Sequence, residues 1–545
     1  MRAPLLWLSI LIFGLVAPLA CAQPAPQPDS GGPLLPEQAA YDVTFYDLDL
    51  AVQPDAQRIE GTLTVHATAV DSLETFVLNL DRRLAVEQVR LIDERNRRIW
   101  LRLNRRADGN QLWIDLPRTY GPGETLRVAV AYGGTPRTAP NPPWEGGFTW
   151  SETPGGRPWI ATSCQTAGPD LWWPAKDHPS DEPDSMALDI RVPDDLVVAT
   201  NGRLRGTAPS ADNTRTYRWF VSTPINNYGV ALNIAPYATI DTTHRSTAGA
   251  DIPIAFYVLP GEERAARRAL PELLDHLRFF EDTLRPYPFA ADKYAIARTP
   301  FLGMEHQTII AHGAPLGNTN ALGYDAGFDA LHFHELAHEW FANFVTARDW
   351  KDFWIHEGFA TYLEALYAEE RRGEQGYHAV IDHFRDQITN RQPIARRTPT
   401  SAQQMYGRDV YYKGALVLHT LRFLIGDDAF FAALRRMAGA DHDAPRLVDT
   451  QDFVRIAEEV SGRALGWFFE AYLYRAALPR LVAERAGDQL TLRWDTPGAA
   501  PFPMPVEVQV DGETRRVPID GEAVVTVPAG AALTIDPDAR VPRAE

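Results

Sequence analysis

HELAHEWFANFVTARDWKDFWIHEG, residues 334 to 358, sets His334 and His338 four positions apart with Glu335 beside the first, then Glu357 nineteen positions later. On an α-helix, residues four apart are separated by about 400° of rotation, so the two imidazoles project from one face close together. With 14 His and 71 Asp plus Glu in 545 residues, chance yields about 0.05 arrangements of the form HExxH. The surrounding LHFHELAHEWFANFV is apolar, which predicts a buried helix, and buried imidazoles and carboxylates require partners. Two histidines leave a tetrahedral metal short of ligands. Glu357 completes a His₂Glu set and leaves a fourth position for water. TARDWKDFW supplies a connection, and IHEGFATYLEALYAEE carries Phe359, Leu363, Leu366 and Tyr367 at helical spacing, so Glu357 faces the first helix from the start of a second.

The donor set suits one zinc per chain, which lowers the pKa of bound water to about 7 and polarises a carbonyl. Glu335 cannot readily reach the same ion; its place is to take a proton from water and pass it to a leaving amine. That chemistry is amide hydrolysis. An inert structural zinc would more typically have four protein ligands and more sulfur.

Working outward, the chain has 545 residues, is 45% hydrophobic and 23% charged, and carries a formal charge of −18. That length predicts two or three domains with real cores. A chain this acidic repels phosphate backbones and anionic lipid, which argues against nucleic-acid partners. MRAPLLWLSILIFGLVAPLACAQ, with one arginine, an apolar run and small residues before Gln23, reads as a signal peptide over residues 1–22. A lipid anchor at Cys21 is the alternative. Either way the protein is expected to be exported, periplasmic or secreted. Loss of Cys21 leaves Cys164 alone, a buried small hydrophobe rather than half of a disulfide.

Residues 23–38 are rich in Pro and Gly and read as a linker. From 39 to 243 the chain alternates as strands: RIEGTLTVHATAV places Ile59, Leu63, Val65 and Ala67 on one face, and GPGE at Gly121 marks a turn. This predicts an N-terminal antiparallel β domain. Helical spacing takes over in ERAARRALPELLDHLRFFEDTL, and the mainly helical catalytic domain is assigned 244–480. Alternation returns in 481–545, where Asp511-Gly512 signals a hairpin, predicting a small C-terminal β domain. The fold class is multidomain α+β.

HExxH, eighteen intervening residues and then Glu resembles the gluzincin aminopeptidases, the family of alanyl aminopeptidase and leukotriene hydrolase. TSCQTAGPDLWWPAKDHPSDEPDSMALDIRVPDDLVVATNG is similar to that family's N-terminal domain, and TQDFVRIAEEVSGRALGWFFEAYLYRAALP to the end of its catalytic domain. The likeness runs from about 41 to 480. It implies a thermolysin-like catalytic domain and peptide substrates with a free N-terminus. Leu302-Gly303-Met304-Glu305-His306 matches the family's Gly-Ala-Met-Glu-Asn motif, so Glu305, with Gly303 and Met304, would bind the substrate's α-amino end. That amine has a pKa of about 8 and is largely cationic at neutral pH. Leu302 and His306 depart from the motif. Gln165 matches the substrate-contacting glutamine, and Tyr411 in YYKGALVL matches the phenol that donates to the developing oxyanion. Tyr412, His312, His332 and His356 are assigned to packing or surface. The longest relatives carry a large helical C-terminal cap; its lack here implies a more open site, accepting longer peptides or capped by a partner. The rivals are an endopeptidase, an epoxide hydrolase and a zinc-stabilised binding scaffold. Oligomeric state and preferred N-terminal residue are not encoded in these motifs.

Overall fold

The computed structural model describes residues 28–105, 109–496, 498 and 501–544. Residues 1–22, expected to be a signal peptide, lie outside the described residues, Cys21 among them. Among those described, no helix is long and apolar enough to cross a membrane.

Period-two patterning builds the N-terminal unit. Ile59, Leu63, Val65 and Ala67, all on the strand Arg58–Ala69, are fully or almost fully buried. That strand lies inside an eight-stranded sheet, flanked by sheets of four and three strands. Pairing is antiparallel with one exception in the large sheet, where Tyr41–Gln53 runs parallel to Ser185–Pro193. The GPGE turn closes as expected: Glu124 N–H donates to Gly121 O at 3.1 Å, and Gly121 N–H donates to the Glu124 carboxylate at 2.7 Å.

The expected boundary at 243/244 falls inside a hairpin. Ala238–Arg245 pairs with Asp251–Val258, and both belong to the five-stranded sheet that carries Gly303–Met304. Alternation alone cannot tell which sheet a strand joins, so the pattern ran on past the true change of unit. The helix Glu263–Thr283 packs beneath, with Phe280 stacked on Trp340 at 5.0 Å.

Residues 23–38 were expected to be a linker. Over the described part they are instead a fitted strap. Asp29 accepts from the Ser401 hydroxyl at 2.6 Å and from Gln403 N–H at 2.9 Å, while Ser30 donates to Asp177 at 2.6 Å and accepts from the Trp350 indole at 3.2 Å. Gly31 sits against the Trp350 ring with no room for a Cβ. Short polar residues read as a linker because their partners lie hundreds of positions away.

Two helices frame the catalytic unit. Trp354–Gln387 is broken at Gly373, whose φ of 67° leaves the helical region; Arg408–Ile425 crosses its first half. At the crossing Gly358 faces Gly414, and a Cβ on either would lie within 2.9 Å of the other's backbone. This close approach holds the segments carrying Glu357 and Tyr411 together. Gly358→Ala is expected to cost about 1–3 kcal/mol of stability through forced separation of the helices. A melting temperature equal to that of the parent would show that the helices part freely.

The C-terminal unit begins at Arg480 and stacks two three-stranded sheets around Leu490, Leu492, Val506, Val508, Ile519 and Val527. Asp511 and Gly512 both take positive φ in the hairpin turn between Val506–Val510 and Glu513–Val517.

Candidate active site

The helix Ala330–Ala337 is short. Asp329 caps it by accepting from His332 N–H at 3.1 Å, and His338 follows as C-cap with helical φ and ψ. The four-residue spacing therefore keeps its helical meaning although the regular helix ends one residue earlier. His334 Nε2 and His338 Nε2 stand 3.2 Å apart, and Glu357 Oε2 lies 3.4 Å from each. Tetrahedral zinc with bonds of about 2.0–2.1 Å holds its donors roughly 3.3–3.4 Å apart, so the three atoms fit it.

The other ring nitrogens are occupied. His338 Nδ1 meets Phe341 O at 2.9 Å, and His334 Nδ1 meets Glu364 Oε1 at 2.9 Å. These bonds fix each ring with Nε2 facing inward. Glu364 also accepts from the Tyr324 hydroxyl. Glu364 escaped the sequence reading, yet a signal was present: it lies seven residues after Glu357, two turns along the same helix face, in an otherwise apolar run. Glu364→Ala is expected to weaken zinc binding by about 10–100-fold, measured by chelator competition. Unchanged affinity would show that the His334 ring is fixed by packing alone.

Glu335 is buried, and burial pushes its carboxyl up to about 8, against the pull of His334 and aided by Glu305. Gly303 makes its place: a Cβ there would stand 2.5 Å from Glu335 Oε1. Glu305 is also buried, and Gln165 Nε2 donates to it at 2.6 Å and to Glu357 Oε1 at 2.7 Å. One amide thus ties the segment just after the strand Gly303–Met304 to the Glu357 carboxylate, one of the three candidate metal donors. Burial raises the Glu305 pKa, His338 opposes this, and Glu357 adds to it. Asn343 holds the backbone, donating to Glu305 O at 2.9 Å. Met304 joins Gly303 in the wall.

Tyr411 lies over His334, ring centroids 6.1 Å apart and nearly parallel. Burial and the charge of Glu357 raise its pKa well above the usual phenol value, so it remains a donor. All nine residues singled out in the sequence line one cavity of about 580 Å³, with Tyr406, Arg408 and Trp144 at its edges. No residue beyond Tyr412 is among the described residues lining it, so the described part of the C-terminal β unit forms no part of the wall.

The remaining assignments are structural. His312 pairs with Asp329 at 3.0 Å, His332 with His276 at 2.9 Å, and His356 Nε2 accepts from Ala347 N–H at 2.8 Å. Tyr412 packs on Phe384, and Cys164 is a buried thiol whose pKa burial drives upward.

Known proteins share this arrangement. Residues 269–472 match the Peptidase family M1 domain, and residues 43–228 match the Peptidase M1 N-terminal domain. Aminopeptidase N of Streptomyces lividans is 27% identical over 329 residues, covering 55% of this chain and 36% of that protein. Human endoplasmic reticulum aminopeptidase 1 is 25% identical over 289 residues, covering 50% and 30%. The chain thus spans about a third of the length of these relatives. An M1 zinc metallopeptidase from Deinococcus radiodurans shares the fold, with a TM-score of 0.65 at 24% identity, covering 81% of this chain and 94% of that one. With one family domain matched on each side of the cavity and the three candidate zinc donors inside the M1 domain itself, the chain belongs to peptidase family M1, the gluzincin aminopeptidases.

Proposed function

We propose that this chain is an exported zinc aminopeptidase that removes residues from the free N-termini of peptides. The observation that carries the reading is the buried Glu305, joined through Gln165 to the zinc-ligand carboxylate of Glu357. A carboxylate in that position has a cationic amine as its natural partner, and it closes the site beyond the first residue. A variant of the Deinococcus enzyme was crystallised with a Tyr-Ser-Ala substrate, which agrees with short peptides as ligands.

His334, His338 and Glu357 would hold the zinc, which when bound supplies Lewis-acid polarisation and a water of lowered pKa. Glu305 and Gln165 fix the α-amino group and so set the register of the first peptide bond over the cavity. Glu335 accepts a proton from water at its carboxylate and delivers it to the departing amine. The Tyr411 hydroxyl donates to the oxyanion as it develops. The C-terminal β unit forms no part of the described wall, which favours peptides of several residues.

Release of a chromophore from alanyl, leucyl, arginyl and N-acetyl-alanyl amides, with and without chelator, tests the reading. Cleavage confined to free-amine substrates, lost with chelator and restored by zinc, is expected. Equal cleavage of the acetylated amide would make the protein an endopeptidase and remove Glu305 from amine recognition. Export is tested separately, by the N-terminal residue and cell fraction of the mature protein: the reading requires a chain starting at Gln23, or a lipidated Cys21, outside the cytoplasm.

A further inference from the structure

Four glutamates line the cavity: Glu305, Glu335, Glu357 and Glu364. Against them stands a single lysine or arginine among the described lining residues, Arg408. It is exposed, and its guanidinium has no hydrogen-bond or ion-pair partner among the described residues. None of the four glutamates is free to serve it. Glu305 and Glu357 are bridged by Gln165, Glu364 is held by His334 and Tyr324, and Glu335 is tucked beneath Gly303. An arginine in an acidic cavity that the fold leaves unpaired suggests an anion brought by the ligand.

The position of Arg408 says where that anion lies. The amine end of the cavity is the Gln165–Glu305 pair. The opposite wall runs past His334 to Glu364 and Tyr324, whose ring stacks on His383 at 4.6 Å, and then to Tyr412, 6.0 Å from His383. Arg408 stands on this second side, four residues before Tyr412 and one helical turn before Tyr411, about 4.5 Å along the axis. One extended residue spans about 3.3–3.6 Å. A peptide anchored at Glu305 and cleaved beside Tyr411 therefore brings its second or third residue within reach of the guanidinium.

We propose that Arg408 binds a carboxylate on the leaving side of the scissile bond, and so makes the site prefer peptides that present one there. This rests on the aminopeptidase reading for its direction along the cavity. The carboxylate has two sources, the C-terminus of a short peptide or an acidic side chain just after the cleaved residue. A planar guanidinium accepts either as a two-point partner.

The test is a binding measurement on zinc-loaded protein carrying Glu335→Gln, which silences turnover. Affinity for Ala-Ala-Ala is compared with that for its C-terminal amide, and Ala-Asp-Ala-amide with Ala-Asn-Ala-amide. At an exposed site the charged member of the responsive pair is expected to bind about 2- to 5-fold tighter. Arg408→Ala should bring that ratio to one, and Arg408→Lys should retain part of it. A response in the first pair assigns the C-terminus, and one in the second assigns the side chain. Ratios of one for both pairs in the parent protein, or a preference that survives Arg408→Ala, overturn the proposal. The chromophore assay on the wild-type chain decides the aminopeptidase reading separately, because those substrates carry no carboxylate.

Discussion

Glu335→Gln lowers kcat by about 10²–10⁴-fold while the protein still binds one zinc. Gln is close to isosteric with Glu, so the cleft under Gly303 stays filled and the two histidines keep their helix. What disappears is a carboxylate able to receive a proton. A metal analysis alongside the kinetics separates this from loss of the ion. The KM for a free-amine substrate should move little, because Glu305 and Gln165 still hold the amine. A loss below about 10-fold with zinc in place would mean that another group carries the proton. Among the described lining residues the candidates are then Tyr411 and Glu305, and their variants would identify which.

Tyr411→Phe removes one hydroxyl and is expected to cost about 3–4 kcal/mol in the transition state, a fall in kcat of roughly 10²–10³. Phenylalanine keeps the ring parallel to His334, so zinc affinity and fold should be retained. Because the donor acts on charge that develops only during reaction, kcat and kcat/KM should fall together. A rise in KM with kcat unchanged would make Tyr411 a ground-state contact instead. Tyr412→Phe is the control. Tyr412 packs on Phe384 and lines the far wall, and the same loss there would show that the spacing singled out the wrong tyrosine.

Much of this site is written locally. His334, Glu335 and His338 are fixed by one helical turn, and Glu357 by the start of the next helix, so spacing alone brings them together. The alternation through Ile59, Leu63 and Val65 is likewise a local signal for a half-buried strand. Gln165, Glu305 and Tyr411 are different. They come from three segments, and the hydrogen bond from Gln165 to Glu357 spans 192 positions. No periodicity encodes that; resemblance to a family did. Glu364 fell between the two cases, legible from its seven-residue offset yet easily taken for a charge on a solvated face. The hairpin Ala238–Val258 and the residues after Asp29 misled for one reason. Each is short-range in pattern and long-range in partnership.

The strap at Asp29 and Ser30 joins parts of the chain that are far apart in sequence. These residues lie near the start of the described chain, yet Ser401 and Gln403, which bind Asp29, lie 372 and 374 positions later. The β unit can complete its sheets without the strap, since its strands pair among themselves. Docking of the strap needs Asp177 from one half and Trp350 and Ser401 from the other to be in place together, so it acts as a clasp across the two halves.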